Sequence, residues 1–168
     1  MATKSLITEA EFLRMNFDGP EPDYLGGELV ERAMPNTQHS DVQSVFCGLI
    51  FPWRTGNRLF ALPELRLLTR AAHFRVVDIA VYQDRKPADL IPAEAPFVAL
   101  EIVSPGDPHE ELMTKLAEYE AIGVPHVWIA EPGLQSLSVY ERGSLLRVEA
   151  FTLPEFGLRF TAAQLFAA

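Results

Sequence analysis

Residues 97–107, FVALEIVSPGD, constrain this fold more than any other stretch. Phe97, Val98, Ala99, Leu100, Ile102 and Val103 are apolar without alternation, the pattern of a strand covered on both faces. Glu101 interrupts that run. An unpaired carboxylate in an apolar layer costs several kcal/mol, so Glu101 must be paired, protonated or bound to a cation. The segment that follows fixes the local topology. Asp107-Pro108-His109-Glu110 predicts a helix start, with Asp107 as N-cap, Pro108 at N1 and Glu110 at N3. Leu112, Leu116, Tyr119 and Ile122 form the inward stripe of that helix, and Gly123 with Pro125 ends it. His126–Ala130 is a second buried strand, so strand, helix and strand make a right-handed βαβ unit with parallel strands.

Around this unit the chain reads as short alternating elements. Thr8-Glu9-Ala10-Glu11 is a capping box that opens a short helix carrying Phe12, Leu13 and Met15. Gly26-Gly27 precedes a strand over 28–32. Pro35-Asn36-Thr37 stops that strand and caps a longer helix, in which Val42, Val45, Phe46, Leu49, Ile50 and Trp53 form an amphipathic stripe. Strands are predicted near 58–62, 65–70 and 74–82, a hairpin over 136–142 and 145–151, and a last helix capped by Thr161 and Gln164. This order predicts an α/β (α+β) domain with a central mixed β-sheet flanked by helices, and the 168 residues suit one domain over 1–168.

Composition excludes several classes. No apolar run approaches a membrane span, and the opening MATKSLITEAEF has acids where a signal peptide needs apolar residues. The lone cysteine, Cys47, precludes an internal disulfide and a cysteine-built zinc site, and it reads as a buried inert thiol. A soluble cytoplasmic protein is expected. Net charge is −9, against a chain that coats nucleic acid over its whole surface. Residues 54–86 nevertheless hold seven cationic side chains against three acids. That basic run is either a phosphate-binding face or a set of solvated strand edges, the second being favoured.

A second acid stands inside a buried strand, Asp78 within Phe74–Val81. If the two strands are neighbours, Asp78 and Glu101 converge, and one stays protonated unless a cation lies between them. Oxygen ligands of this kind suit Mg²⁺ or Mn²⁺. Lys115 lies on the helix stripe, three residues after Leu112 and four before Tyr119. It either snorkels at the stripe's edge or reaches back to the acids, where an ammonium can orient a water or stabilise a phosphate. Acid, acid and lysine make either a metal site or a buried charge network without chemistry.

Val77-Asp78, Glu101-Ile-Val-Ser-Pro105, Lys115-Leu-Ala-Glu-Tyr119 and Gly123-Val-Pro-His-Val-Trp-Ile-Ala-Glu-Pro132, in this order and spacing, resemble the Uma family of restriction-endonuclease-like proteins, within the PD-(D/E)XK nuclease superfamily. Gly27-Glu28-Leu29-Val30 and Pro35 followed by His39 match the family's opening, so the resemblance covers nearly the whole chain. It implies the restriction-endonuclease-like core, a divalent metal, and hydrolysis of phosphodiester bonds in DNA. By position it implies Asp78 and Glu101 as metal-binding acids, Glu28 as the acid of the first strand, and Lys115 in place of the superfamily lysine, since Val103 stands two residues after Glu101. Two positions depart from the pattern. Val77 replaces the usual proline, and Pro22-Asp23 replaces a common Tyr-Glu.

Other polar residues are weaker candidates. His39 faces inward or along the site rim, as a general acid–base or phosphate contact or as a hydrogen-bonded core histidine, the latter favoured. Tyr119 is expected to pack, Ser104 to satisfy loop backbone, and Trp53 and Trp128 to fill the core. His73, His109 and His126 lack zinc-site spacing. Two functions are therefore carried forward. One is a metal-dependent DNA endonuclease, expected as a homodimer because cutting two strands favours pairing and the 136–151 hairpin offers edge strands. The other is a catalytically idle nuclease-fold protein that binds nucleic acid or protein.

Overall fold

The computed structural model describes residues 6–56 and 58–167. Residues 1–5, which begin the segment read above as lacking a signal peptide, lie outside them, as do 57 and 168. In chain order the described residues form α1 (Glu9–Phe12), β1 (Asp23–Leu25), β2 (Glu28–Val30), α2 (Thr37–Ile50), β3 (Leu59–Arg70), β4 (His73–Gln83) and β5 (Val98–Ile102). Then follow α3 (His109–Ala121), β6 (His126–Glu131), β7 (Ser136–Glu141), β8 (Ser144–Val148), β9 (Ala150–Leu153), β10 (Leu158–Thr161) and α4 (Ala162–Phe166).

Every residue of β5 is buried, as its unbroken apolar run requires. It pairs parallel with β6, Leu100 opposite Trp128, and α3 connects the two. The mixed sheet runs β2-β1-β4-β5-β6-β7-β8, with β3 also on β4. On one face Val42, Phe46 and Ile50 of α2 pack with Ile79, Val81, Leu100 and Trp128. A separate β9–β10 pair and α4 close that side, Phe151 stacking on Trp128 with ring centroids 4.5 Å apart. On the other face Leu116 and Tyr119 of α3 cover Val77, Ala80, Ala99 and Ile129. The expected central mixed sheet flanked by helices is the observed one. No helix among the described residues is long and apolar enough to cross a membrane.

Several local expectations are corrected. The strands read at 58–62 and 65–70 are one strand, because β3 keeps its pairing with β4 on both sides of Glu64, at Pro63 and at Leu65. The strand expected to Arg32 stops at Val30. The stretch 145–151 is divided between β8 and β9, and β1 and β10 are too short to have shown a period. Asp107 does not cap α3. Pro108 is the N-cap residue, and the Asp107 carboxylate instead accepts from the Ser104 N–H at 2.6 Å, tightening the loop after β5. Asn36 does cap α2, accepting from the His39 N–H at 2.9 Å. The two capping boxes, at Thr8 and Thr161, form as read.

β4 organises the site. β3 lines one whole edge of it. The other edge is shared, with Phe74 facing Tyr24 of β1 and Ile79 to Val81 facing Leu100 to Val98 of β5. Between these two partners, among the described residues, the stretch 75–78 has no strand on that edge. The sheet is split there.

Candidate active site

Backbone groups left unpaired inside a protein must find other partners, and the split in the sheet leaves several. Asp23 Oδ1 accepts from the Val76 N–H at 2.8 Å. Lys115 Nζ donates to the Val76 carbonyl at 2.8 Å. Asp78 Oδ2 accepts from the Ile102 N–H at 2.7 Å. Ionisable side chains thus replace the missing ladder, and this gathers them at one level of the sheet.

The strand register explains the rest of the gathering. One step beyond the Ile79–Leu100 pair, Asp78 comes beside Glu101. The Pro63–Ile79 and Leu65–Val77 pairs bracket Glu64 opposite Asp78. Glu64, Asp78 and Glu101 therefore form a row across β3, β4 and β5. The alternation of β4 also slips at this row, for Val77 joins the α3-side core while Ile79 joins the α2 side and Ala80 the α3 side again. Glu64 has φ 50°, a left-handed conformation that a non-glycine residue keeps only where its surroundings impose it.

Each acid has cationic company. Lys115, buried, places Nζ 2.7 Å from Glu101 Oε2, and the Tyr119 hydroxyl donates to Glu101 Oε1 at 2.8 Å. Of the two possibilities for Lys115, reaching back is the observed one. Arg32 spans the other two acids, Nη2 to Asp78 Oδ1 at 2.7 Å and Nη1 to Glu64 Oε2 at 2.9 Å. Gln43 donates to Glu64 Oε1 and to the Asp78 carbonyl, both at 2.9 Å. His39 is buried, with Nδ1 3.2 Å from Ser104 Oγ. Its Nε2 lies 3.7 Å from Asp78 Oδ1 and has no hydrogen-bond partner.

Burial dominates the electrostatics. It pushes Glu101 up to about 7 against the opposing pull of Lys115. It raises Asp78 as well, although Lys115 and Arg32 oppose it. It lowers His39, which favours the neutral ring. For Glu64 burial is outweighed, and Arg32 and Gln43 hold the carboxyl below its usual range. Desolvation alone would lower Lys115, but Glu101, Asp23 and Asp78 raise it, keeping it an ammonium.

A cavity of about 340 Å³ opens onto this set, lined among others by Asp23, Arg32, His39, Asp78, Glu101 and Lys115. Of the residues singled out in the sequence, Asp78, Glu101, Lys115 and His39 come together. Glu28 does not line the cavity; it is exposed in β2, opposite Leu25. Asp23, Glu31, Asp107 and Glu111 are the further acids that line it. Arg32 and Glu64 escaped the sequence reading, since their roles depend on contacts made across long stretches of chain. Tyr119 does more than pack, and the Ser104 hydroxyl meets His39 rather than loop backbone. Arg75, expected on a solvated edge, is fully buried among Asp23, Glu111 and Glu118. Cys47 is half-buried against the α2-side core.

The donor set fits a divalent cation. Carboxylates face a solvent-connected cavity beside a buried imidazole nitrogen that lacks a partner. His39, Glu64 and Asp78 each bring a ligand atom within 4.8 Å of the others.

A search of curated proteins finds no significant match. Among solved structures, the chain is similar to a crystal structure described as a putative nuclease belonging to DUF820 from Anabaena variabilis ATCC 29413. The two are 25% identical with a TM-score of 0.81, over 96% of this chain and 98% of that one. The family model Uma2, described as "Putative restriction endonuclease", matches residues 9–162. The split sheet with its row of acids thus lies inside the fold of that structural neighbour, and the chain belongs to the Uma2 family, whose model carries the description "Putative restriction endonuclease".

Proposed function

We propose that the protein is a divalent-metal-dependent endonuclease that hydrolyses phosphodiester bonds in DNA. The observation that carries this reading is the convergence of Asp78, Glu101 and Lys115 on one cavity, with Lys115 Nζ 2.7 Å from Glu101. Family membership supplies the reaction class. Asp78 and Glu101 would hold Mg²⁺ or Mn²⁺. Such an ion, when bound, offsets charge on a phosphate and lowers the pKa of a water.

The side chains divide the remaining work. An ammonium has three N–H donors, and Glu101 and the Val76 carbonyl take two from Lys115. The third is left for an oxygen of the attacking water or of the phosphate. Tyr119 holds Glu101 from the other side, so the carboxylate keeps one orientation. His39, with Nδ1 engaged at Ser104 and Nε2 without a partner, is placed to exchange a proton or to contact a phosphate. Asp23 takes the first-strand role in place of Glu28, because it lines the cavity and fixes β4 through Val76.

Supercoiled plasmid incubated with Mn²⁺ or Mg²⁺ tests the proposal. Nicking and linearisation that stop with a chelator and are absent in Asp78→Ala support it. A wild type that binds Mn²⁺ yet leaves plasmid intact favours the second reading, an idle nuclease fold acting by binding. One observation speaks for that alternative, for Arg32, Lys115 and Tyr119 already satisfy the two buried acids. We further propose a homodimer, using the outer strand β8 of the β7–β8 hairpin. Light scattering at tens of micromolar should give twice the chain mass, and a strict monomer removes this proposal.

A further inference from the structure

The acid row has a side that Glu101 does not reach. Glu64, with 45% of its side chain exposed, brings a ligand atom within 4.8 Å of ones from Asp78 and His39 and lines a second hollow together with Gln43 and Met34. The His39 side chain is only 8% exposed. Its Nδ1 is engaged by Ser104 Oγ, which fixes the ring and aims Nε2 at Asp78. A buried ring nitrogen without a hydrogen-bond partner is costly, as it is for His73 and His126, but of the three only the His39 nitrogen faces carboxylates across a cavity, where an ion or a water can complete it. Engagement of one imidazole nitrogen while the other faces carboxylates is how ligating histidines are held. Arg32 places a positive charge between Asp78 and Glu64, so this space already receives a cation.

We propose that His39, Glu64 and Asp78 form a divalent-cation site of their own, selective for Mn²⁺ or Zn²⁺ over Mg²⁺, which the Arg32 guanidinium fills until an ion displaces it. The selectivity follows from the ligands, since an imidazole nitrogen suits transition metals, while Mg²⁺ prefers oxygen. Displacement gives Arg32 a second use. Released from the acids, its planar fork lies at the junction of the two hollows, where a phosphate would arrive. The site shares Asp78 with the function proposed above but not Glu101, and it takes His39 Nε2 as a ligand in place of the proton-exchange or phosphate role given there, so the two readings fail separately.

The test uses the full chain with Mn²⁺ alone, by calorimetry and pulsed electron paramagnetic resonance. Bound Mn²⁺ should show coupling to one imidazole nitrogen, lost in His39→Phe. Affinity should fall about tenfold or more in His39→Phe and in Glu64→Gln, and rise about tenfold in Arg32→Met, where the competing cation is gone. A gain of affinity cannot come from misfolding, so Arg32→Met guards against a collapsed variant. Mn²⁺ that binds without nitrogen coupling, indifferent to His39 and Glu64, overturns the inference. If that binding is still lost in Glu101→Gln, the endonuclease reading stands without it. Nitrogen coupling that survives Glu101→Gln upholds the inference, since the site does not use Glu101. No binding at millimolar Mn²⁺ overturns it outright.

Discussion

Removing the ammonium of Lys115 leaves Glu101 as a buried acid beside Asp78, with the Tyr119 hydroxyl as its remaining hydrogen-bond donor among the described residues. Lys115→Met keeps the stem volume, so the change is electrostatic. Breaking a buried pair by deleting one partner costs about 3–5 kcal/mol, less whatever Glu101 recovers by taking a proton. Chemical denaturation of the metal-free protein at pH 8 should show a loss on that scale, and added Mn²⁺ should restore part of it. Phosphodiester cleavage should fall about a hundredfold, the scale of losing one electrostatic partner. A change below about 1 kcal/mol would fit a lysine at the surface, which the burial of Lys115 contradicts. Glu101 and Asp78 were legible in the sequence because a carboxylate inside an apolar run has few explanations. Arg32 was not, since nothing local distinguishes an arginine after a short strand from a solvated one. Its partners lie 32 and 46 residues away.

The junction of β4 with α3 depends on a second charge cluster, around Arg75. Its guanidinium, without solvent exposure, meets Asp23 at 3.1 Å, Glu118 at 2.8 Å, and Glu111. Burial would raise Glu118, but its hydrogen bonds with Arg75 and Thr69 prevail and hold it below the ordinary value. A folded-state pKa below the unfolded one contributes stability above the unfolded value, lost as pH falls through the folded value. Urea midpoints should therefore drop between pH 5 and pH 3, and Glu118→Gln should flatten that drop. An unchanged slope in the variant would assign the acid loss elsewhere. The elements themselves were readable where their period is long. α2, α3, β4 and β5 stand where apolar spacing puts them, whereas β1 and β10, of three and four residues, carry too little pattern. Pro63 and Glu64 look like a strand break in sequence, yet β4 continues to pair on both sides of them. Asp107 reads as a helix cap, but the loop after β5 takes its carboxylate first.

For the whole molecule the question is how an acidic chain would hold DNA. Its net charge is −9, and the cations of 54–86 are largely committed: Arg75 is buried, Arg66 binds Glu21, Arg85 binds Glu94, and Arg54 lies over Phe60. DNA affinity should accordingly be weak and fall steeply with salt, which a binding isotherm between 50 and 200 mM salt would reveal. Any such grip would be turned toward one place, because the split between β1 and β5 opens the cavity at the acid row. The central claim is that the row works as a reactive centre rather than as a charge network. Glu101→Gln tests it most directly, for the amide oxygen can still accept from Lys115 while the negative charge is lost and an N–H donor replaces the oxygen that accepted from Tyr119. Plasmid cleavage in Mn²⁺ by this variant, at a temperature where circular dichroism shows it folded, should be at least about a hundredfold slower than by wild type. Cleavage at the wild-type rate by a folded Glu101→Gln would contradict the account.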